Sequence, residues 1–128
     1  MQFRVIQATR TVVAGARGSV SVVDGTFEDD VLLGDDHANT LREEEGRDGI
    51  HGRGRNDRIA GGSGAERLSG GAGADKIHGG SGRDRLDGGS GRDRLSGGPG
   101  ADRIIGGSGR DRCLSPSTGA GARSCELS

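Results

Sequence analysis

Aromatic side chains are nearly missing from this sequence: two Phe, no Trp and no Tyr in 128 residues, with hydrophobic residues of all kinds at 29%. A conventional packed core cannot be built from that inventory. The same shortage removes the stacking platforms on which single-stranded nucleic acid binds, and no nucleic-acid-binding motif occurs. No apolar run approaches the roughly 20 residues of a membrane-spanning helix. Proline stands only at Pro99 and Pro116, which excludes collagen despite 28 glycines. Neither sign of charge dominates: 18 Lys and Arg face 19 Asp and Glu, a formal net charge of −1, so no gross polarity selects a partner. The opening MQFRVIQATRTVVAG carries Arg4 and Arg10 inside its apolar part and is not read as a cleavable secretory signal. Two cysteines, Cys113 and Cys125, either bridge or stay as thiols, and their spacing leaves both open.

Catalytic signatures are missing as well. There is no Gly-x-Ser-x-Gly elbow, no His-Glu-x-x-His and no phosphate loop. Ser63, Ser81, Ser90 and Ser108 fall at turn places without a base to activate them, and His37, His51 and His78 share no metal-ligand spacing. No catalytic residue is assigned, and an enzyme is not expected.

Glycine, in contrast, is abundant and strictly placed. Glycine-rich chains of low hydrophobicity are ordinarily disordered. Yet Gly61–Leu114, written in nines, runs GGSGAERLS, GGAGADKIH, GGSGRDRLD, GGSGRDRLS, GGPGADRII and GGSGRDRCL. Glycine recurs at places one, two and four, an acid at place six and a base at place seven. Place eight holds Leu68, Ile77, Leu86, Leu95, Ile104 and then Cys113. Carrying the register backward recovers four degenerate units: GTFEDDVLL from Gly25, GDDHANTLR from Gly34, EEEGRDGIH from Glu43 and GRGRNDRIA from Gly52. Their eighth places are Leu32, Leu41, Ile50 and Ile59, so nine of the ten units keep Leu or Ile at one phase.

Each nine divides into a six-residue turn and a three-residue strand. Glycine lets the turn backbone enter positive φ without a Cβ clash. In the strand, period two sends place eight inward and its neighbours outward. Two nines make one coil, so alternate repeats stack about 4.7–4.9 Å apart. The sixth places then align into two ladders: Asp30, Asp48, Glu66, Asp84 and Asp102 on one side, and Asn39, Asp57, Asp75, Asp93 and Asp111 on the other. Carboxylates at that spacing repel unless a cation lies between them. Ca²⁺ suits the gap because it takes six to eight hard oxygen ligands at about 2.3–2.6 Å in flexible geometry.

The G-G-x-G-x-D-x-U-x nonapeptide resembles the RTX (repeats-in-toxin, haemolysin-type calcium-binding) family. The resemblance spans Gly25–Leu114 and is strongest from Gly61. It implies an all-β fold, a right-handed parallel β-roll (β-solenoid) of stacked nonapeptide repeats, holding several Ca²⁺ ions between ladder acids and turn carbonyls. The implied metal residues are Asp75, Asp84, Asp93, Asp102 and Asp111, then Asp57, Asp48, Glu66 and Asp30. Turn glycines join them: Gly71 and Gly73, Gly80 and Gly82, Gly89 and Gly91, Gly98 and Gly100, Gly107 and Gly109. The sites are not equal. Asp75–Asp93, Asp93–Asp111 and Asp84–Asp102 join repeats with all three glycines. Arg53 and Arg55 replace glycines beside Asp57, Glu66 is longer than Asp, Asn39 brings no charge, and Glu28 and His37 stand at fourth places. The N-terminal coils therefore read as scaffold rather than sites.

The expected organisation is residues 1–24 as capping strands or linker, 25–60 as degenerate repeats, 61–114 as calcium-binding repeats and 115–128 as a flexible tail. One aliphatic side chain per nine residues is too little burial to offset the ordering of nine backbones, so folding is expected to be coupled to metal uptake. The family resemblance also implies secretion into the extracellular medium through type I secretion machinery, although the tail ending Glu126-Leu127-Ser128 matches the usual export signal poorly. Two rival readings are a calcium-independent structural or adhesive β-solenoid and a non-catalytic fragment of a larger secreted RTX enzyme or toxin. The seventh places, Arg58, Arg67, Lys76, Arg85, Arg94, Arg103 and Arg112, form outward basic columns. These either bind an acidic polysaccharide once calcium neutralises the inward acids or pair with neighbouring Asp and blunt aggregation.

Overall fold

The computed structural model describes residues 11–13, 22–24, 27, 29–34, 36 and 38–114, and every regular element among them is a β-strand. The strands are short because each turn glycine ends the extended run after three residues. They assemble into two six-stranded sheets. One contains Thr11–Val13, Val31–Leu33, Gly49–His51, Arg67–Ser69, Arg85–Asp87 and Arg103–Ile105. The other contains Val22–Asp24, Thr40–Arg42, Arg58–Ala60, Lys76–His78, Arg94–Ser96 and Arg112–Leu114.

All pairings are parallel. Leu86 pairs with Leu68 on one side and Ile104 on the other, while Ile77 pairs with Ile59 and Leu95. Successive nines thus go to opposite sheets and alternate nines stack: the chain is a β-solenoid with two repeats per coil. The turns carry a smaller ladder of their own, joining Glu45–Gly46, Ser63–Gly64 and Ser81–Gly82. Parallel bridges from Ala72 to Ser90 to Ser108 run through the opposite turns.

The core is two columns of single side chains, one per sheet. Leu32, Leu41, Ile50, Ile59, Leu68, Ile77, Leu86, Leu95 and Ile104 are all buried, and Cys113, beside Leu95 in its sheet, packs against this cluster. Cys113 is disulfide-bonded, whereas Cys125 lies outside the described residues. Places seven and nine point outward, so Arg58, Arg67, Lys76, Arg85, Arg94, Arg103 and Arg112 are exposed.

At the N-terminal end Val12 pairs with Leu32 and Val23 with Leu41. These two strands take the terminal place on each sheet and so continue the roll. The rest of the expected cap, Glu28, His37 and the tail 115–128 lie outside the described residues. The degenerate turn from Gly52 keeps the backbone of the regular ones: Arg53 and Arg55 sit at φ 80° and 68°, matching Gly71 and Gly73 one coil later at 89° and 112°. Stacking imposes that path, since a Cβ on Gly71 or Gly73 would run into the backbone carbonyl of Arg53 or Arg55.

Candidate metal centre

Place six lies two residues before place eight, and its side chain enters the same interior. Asp30, Asp48, Asp57, Glu66, Asp75, Asp84, Asp93, Asp102 and Asp111 are all buried, as is Asn39. Both ladders drawn from the sequence are thereby brought together inside the coil, one along each edge.

The acids do not face one another across a bare gap, however. From Asp48 onward, one oxygen of each aspartate in the two ladders accepts a backbone N–H from the coil before it. The backbone N–H of Asp57 donates to Asp75 Oδ1 at 2.8 Å, Asp75 N–H to Asp93 Oδ1 at 2.8 Å and Asp93 N–H to Asp111 Oδ1 at 2.9 Å. Asn39 N–H begins that chain with a 2.7 Å bond to Asp57 Oδ1. On the other edge Asp30 N–H donates to Asp48 Oδ1, Glu66 N–H to Asp84 Oδ1 and Asp84 N–H to Asp102 Oδ1, at 2.9, 3.1 and 2.9 Å. The mutual repulsion expected from the spacing is thus partly relieved by peptide dipoles.

The second oxygen is left bare. Oδ2 of Asp48, Asp75, Asp84, Asp93 and Asp111 is buried without a hydrogen-bond partner, and buried acceptors are normally satisfied. In the regular repeats this oxygen points at the first-place glycine of its own nine. A Cβ on Gly79 would meet Asp84 Oδ2 at 2.6 Å and the Gly97 carbonyl oxygen at 2.8 Å. On Gly88 it would meet Asp93 Oδ2 and the Gly106 carbonyl, each at 2.6 Å. Among the described residues, the carbonyls of the first-place glycines from Gly52 to Gly106 accept no backbone hydrogen bond. The missing methyl therefore leaves a cradle bordered by a bare carboxylate oxygen and a bare carbonyl oxygen, repeated coil after coil. Hard oxygens with some freedom to adjust are what Ca²⁺ requires, so the donor set fits the ion.

Glycine positions divide by role. Gly71, Gly73, Gly80, Gly82, Gly89, Gly91, Gly98, Gly100, Gly107 and Gly109 all adopt positive φ, and their absent Cβ atoms permit close approach to the coil before. The second-place carbonyls of Gly62, Gly71 and Gly89 already accept N–H bonds from Ser81, Ser90 and Ser108. Gly80 faces Pro99, which has no N–H to give. The glycines nearest the bare carboxylates are instead the first-place ones, such as Gly79 and Gly88, which the sequence reading passed over. Glycine in nine of ten first places was the available signal.

Burial dominates the acidities. It pushes Asp48 and Asp75 up to about 6 and Asp93 to about 7, against the lowering effect of the N–H each accepts. Asp84 and Asp102 are raised for the same reason. Glu66 is pushed furthest, to about 9, by burial first and then by close approach to Asp84 and the charges of Asp48 and Glu43. Its extra methylene carries the carboxyl past the peptide that an Asp would reach, and neither Oε finds a hydrogen-bond partner. The N–H-to-carboxylate chain, continuous from Asn39 to Asp111 on one edge, is interrupted between Asp48 and Glu66 on the other.

One more acid was not foreseen. Glu43 occupies a first place and is buried, and its carboxylate gathers with those of Asp30 and Asp48.

The model of the protein family described as the RTX calcium-binding nonapeptide repeat matches in four overlapping copies, over residues 44–77, 51–86, 60–95 and 78–113. Neither a curated protein nor a solved structure matches the chain. The nine-residue period, the stacking of alternate repeats and the acid-and-carbonyl cradles agree with that match, which covers more than half of the sequence: the chain belongs to the RTX calcium-binding nonapeptide-repeat family.

Proposed function

We propose that this chain is a calcium-dependent β-roll module, without catalytic activity of its own, that folds as it takes up Ca²⁺ outside the cell after export. The observation that carries this reading is the pairing of a bare, buried Oδ2 with a bare carbonyl in successive coils. Metal-free, the interior must either hold carboxylates away from water or protonate them, and both oppose folding near neutral pH. Sites of the affinity found in extracellular modules, roughly 10⁻⁴–10⁻³ M, stay empty in the cytosol and fill outside. A chain kept unfolded in this way suits passage through type I secretion machinery.

Far-UV circular dichroism with Ca²⁺ and then with excess EDTA tests the proposal, with Mg²⁺ as a control in a parallel calorimetric titration. The β spectrum is expected to require Ca²⁺ and not to be restored by Mg²⁺. A β spectrum indifferent to the chelator would replace this reading with the calcium-independent solenoid.

A second reading concerns the surface. An open groove of about 620 Å³ runs along one edge, with Arg47, Arg67, Arg83, Arg85 and Arg103 on its walls and Asp48, Glu66, Asp84 and Asp102 among its lining. These arginines are exposed whereas the acids are buried. Calcium uptake would cancel the acids and leave a row of guanidinium groups, suited to a linear acidic polysaccharide. Retention on immobilised alginate or heparin only when Ca²⁺ is present supports it. Equal passage with and without Ca²⁺ rejects it.

A further inference from the structure

The third repeat, EEEGRDGIH, breaks the strictest rule of the pattern by placing Glu43 where every other unit begins with glycine. In the regular repeats a Cβ at that place would press on the Oδ2 of the same repeat's acid, as Gly79 shows for Asp84 and Gly88 for Asp93. Glu43 therefore brings a whole side chain to the position of a cradle. It is 5% exposed, so the carboxylate is inside the coil rather than turned to solvent.

There, one oxygen each from Asp30, Glu43 and Asp48 lie within 4.8 Å of one another, the only such trio among the described residues. Oxygens about 2.3–2.6 Å from a shared ion can be at most about twice that far apart, which this trio satisfies. Independently of the clustering, Asp48 Oδ2 is buried with no hydrogen-bond partner. So are both oxygens of Glu66. Among the described residues, none of the buried polar side chains is basic.

We propose that Asp30, Glu43 and Asp48 form a divalent-cation site built from three side-chain carboxylates, distinct from the acid-and-carbonyl cradles of the glycine-complete repeats. Greater ligand charge tightens Ca²⁺ binding, so this site fills before the cradles. The degenerate N-terminal coils then order first, at the lowest calcium concentration, and present a formed edge on which the later repeats stack.

Calorimetric titration of the full chain with Ca²⁺ tests this, comparing wild type with Glu43→Gln and Glu43→Gly. The second substitution restores the glycine of the other repeats and should be compatible with the fold, while the first keeps volume and removes charge. Wild type is expected to show one tight class, on the order of one ion per chain, ahead of a weaker class. Glu43→Gln weakens the tight class about tenfold or more and Glu43→Gly abolishes it. Asp93→Asn, in contrast, removes binding from the weaker class alone. If the chain binds calcium but the Glu43 variants titrate like wild type, the three-carboxylate site is wrong and the cradles stand. If no chain binds calcium, both fail.

Discussion

The regular coils from Gly61 onward and the degenerate coils before them share one backbone and differ in what fills it. Their strands pair in the same parallel register, Leu32 with Ile50 as Leu86 with Ile104. Their eighth-place Leu and Ile side chains are equally buried. Even the turn geometry persists where glycine is lost, with Arg53 and Arg55 held at positive φ. The divergence is confined to the polar interior. Regular repeats keep place one empty and leave an oxygen-lined cradle. One degenerate repeat fills it with Glu43 and gathers three side-chain acids instead, while Gly52 still borders Asp57 and the Gly70 carbonyl as the regular glycines do. Apolar stacking thus tolerates substitution in the loops, whereas the ion-facing atoms depend on which places lack a side chain.

That contrast can be broken first at the core, where it predicts no difference. Leu86→Ala in a regular coil and Leu41→Ala in a degenerate one each remove a fully buried side chain. Each should lower the stability of the calcium-loaded chain by about 2–5 kcal/mol, read from urea midpoints. A large cost in one region alone would show that the two do not share a continuous core. A smaller and one-sided effect is expected at the turns. Gly88→Ala drives a methyl between Asp93 Oδ2 and the Gly106 carbonyl and should cost about 1–3 kcal/mol together with one calcium equivalent. Gly54→Ala meets nothing closer than Asp36 Oδ1 at 3.4 Å, and a change within about 0.5 kcal/mol is expected.

Acidity sharpens the comparison in the absence of metal. Asp48, Asp75 and Asp93 have folded-state values raised to about 6 to 7, above the roughly 3.9 of an unfolded Asp. Their contribution to metal-free stability is therefore complete below about pH 4 and is lost as pH rises through 6 to 7. Chelated protein should gain β signal on acidification from pH 8 to pH 4. More β structure at pH 8 than at pH 4 would contradict the buried-carboxylate account. A small effect of the opposite sign is expected for Arg55→Gly, which relieves a left-handed residue in the degenerate turn. It should stabilise the chain by roughly 1 kcal/mol or less, since glycine's greater unfolded-state freedom offsets part of the relief.

Much of the architecture could be read without coordinates. Leu or Ile at one phase in nine of ten units defines which residues enter the core, and the two-nines-per-coil stacking follows from needing to bury them. The same arithmetic places Asp75, Asp93 and Asp111 on one edge and Asp84 with Asp102 on the other. It could not say which carboxylate oxygen would be engaged. Oδ1 is taken by the N–H of the preceding coil and Oδ2 is left bare, an outcome of the rise between coils. Nor did the repeat pattern reveal Glu43, which as a letter is only a failed match to glycine.

Period, residue type and the alternation of a three-residue strand were enough to determine the solenoid, its core columns and its two acid ladders, because each follows from one-dimensional spacing. The direction of the Cβ at place one, the carbonyls it would strike and the meeting of Asp30, Glu43 and Asp48 arise only when coils stack. Those contacts join residues of different turns through space, and no local pattern in the chain encodes their distances.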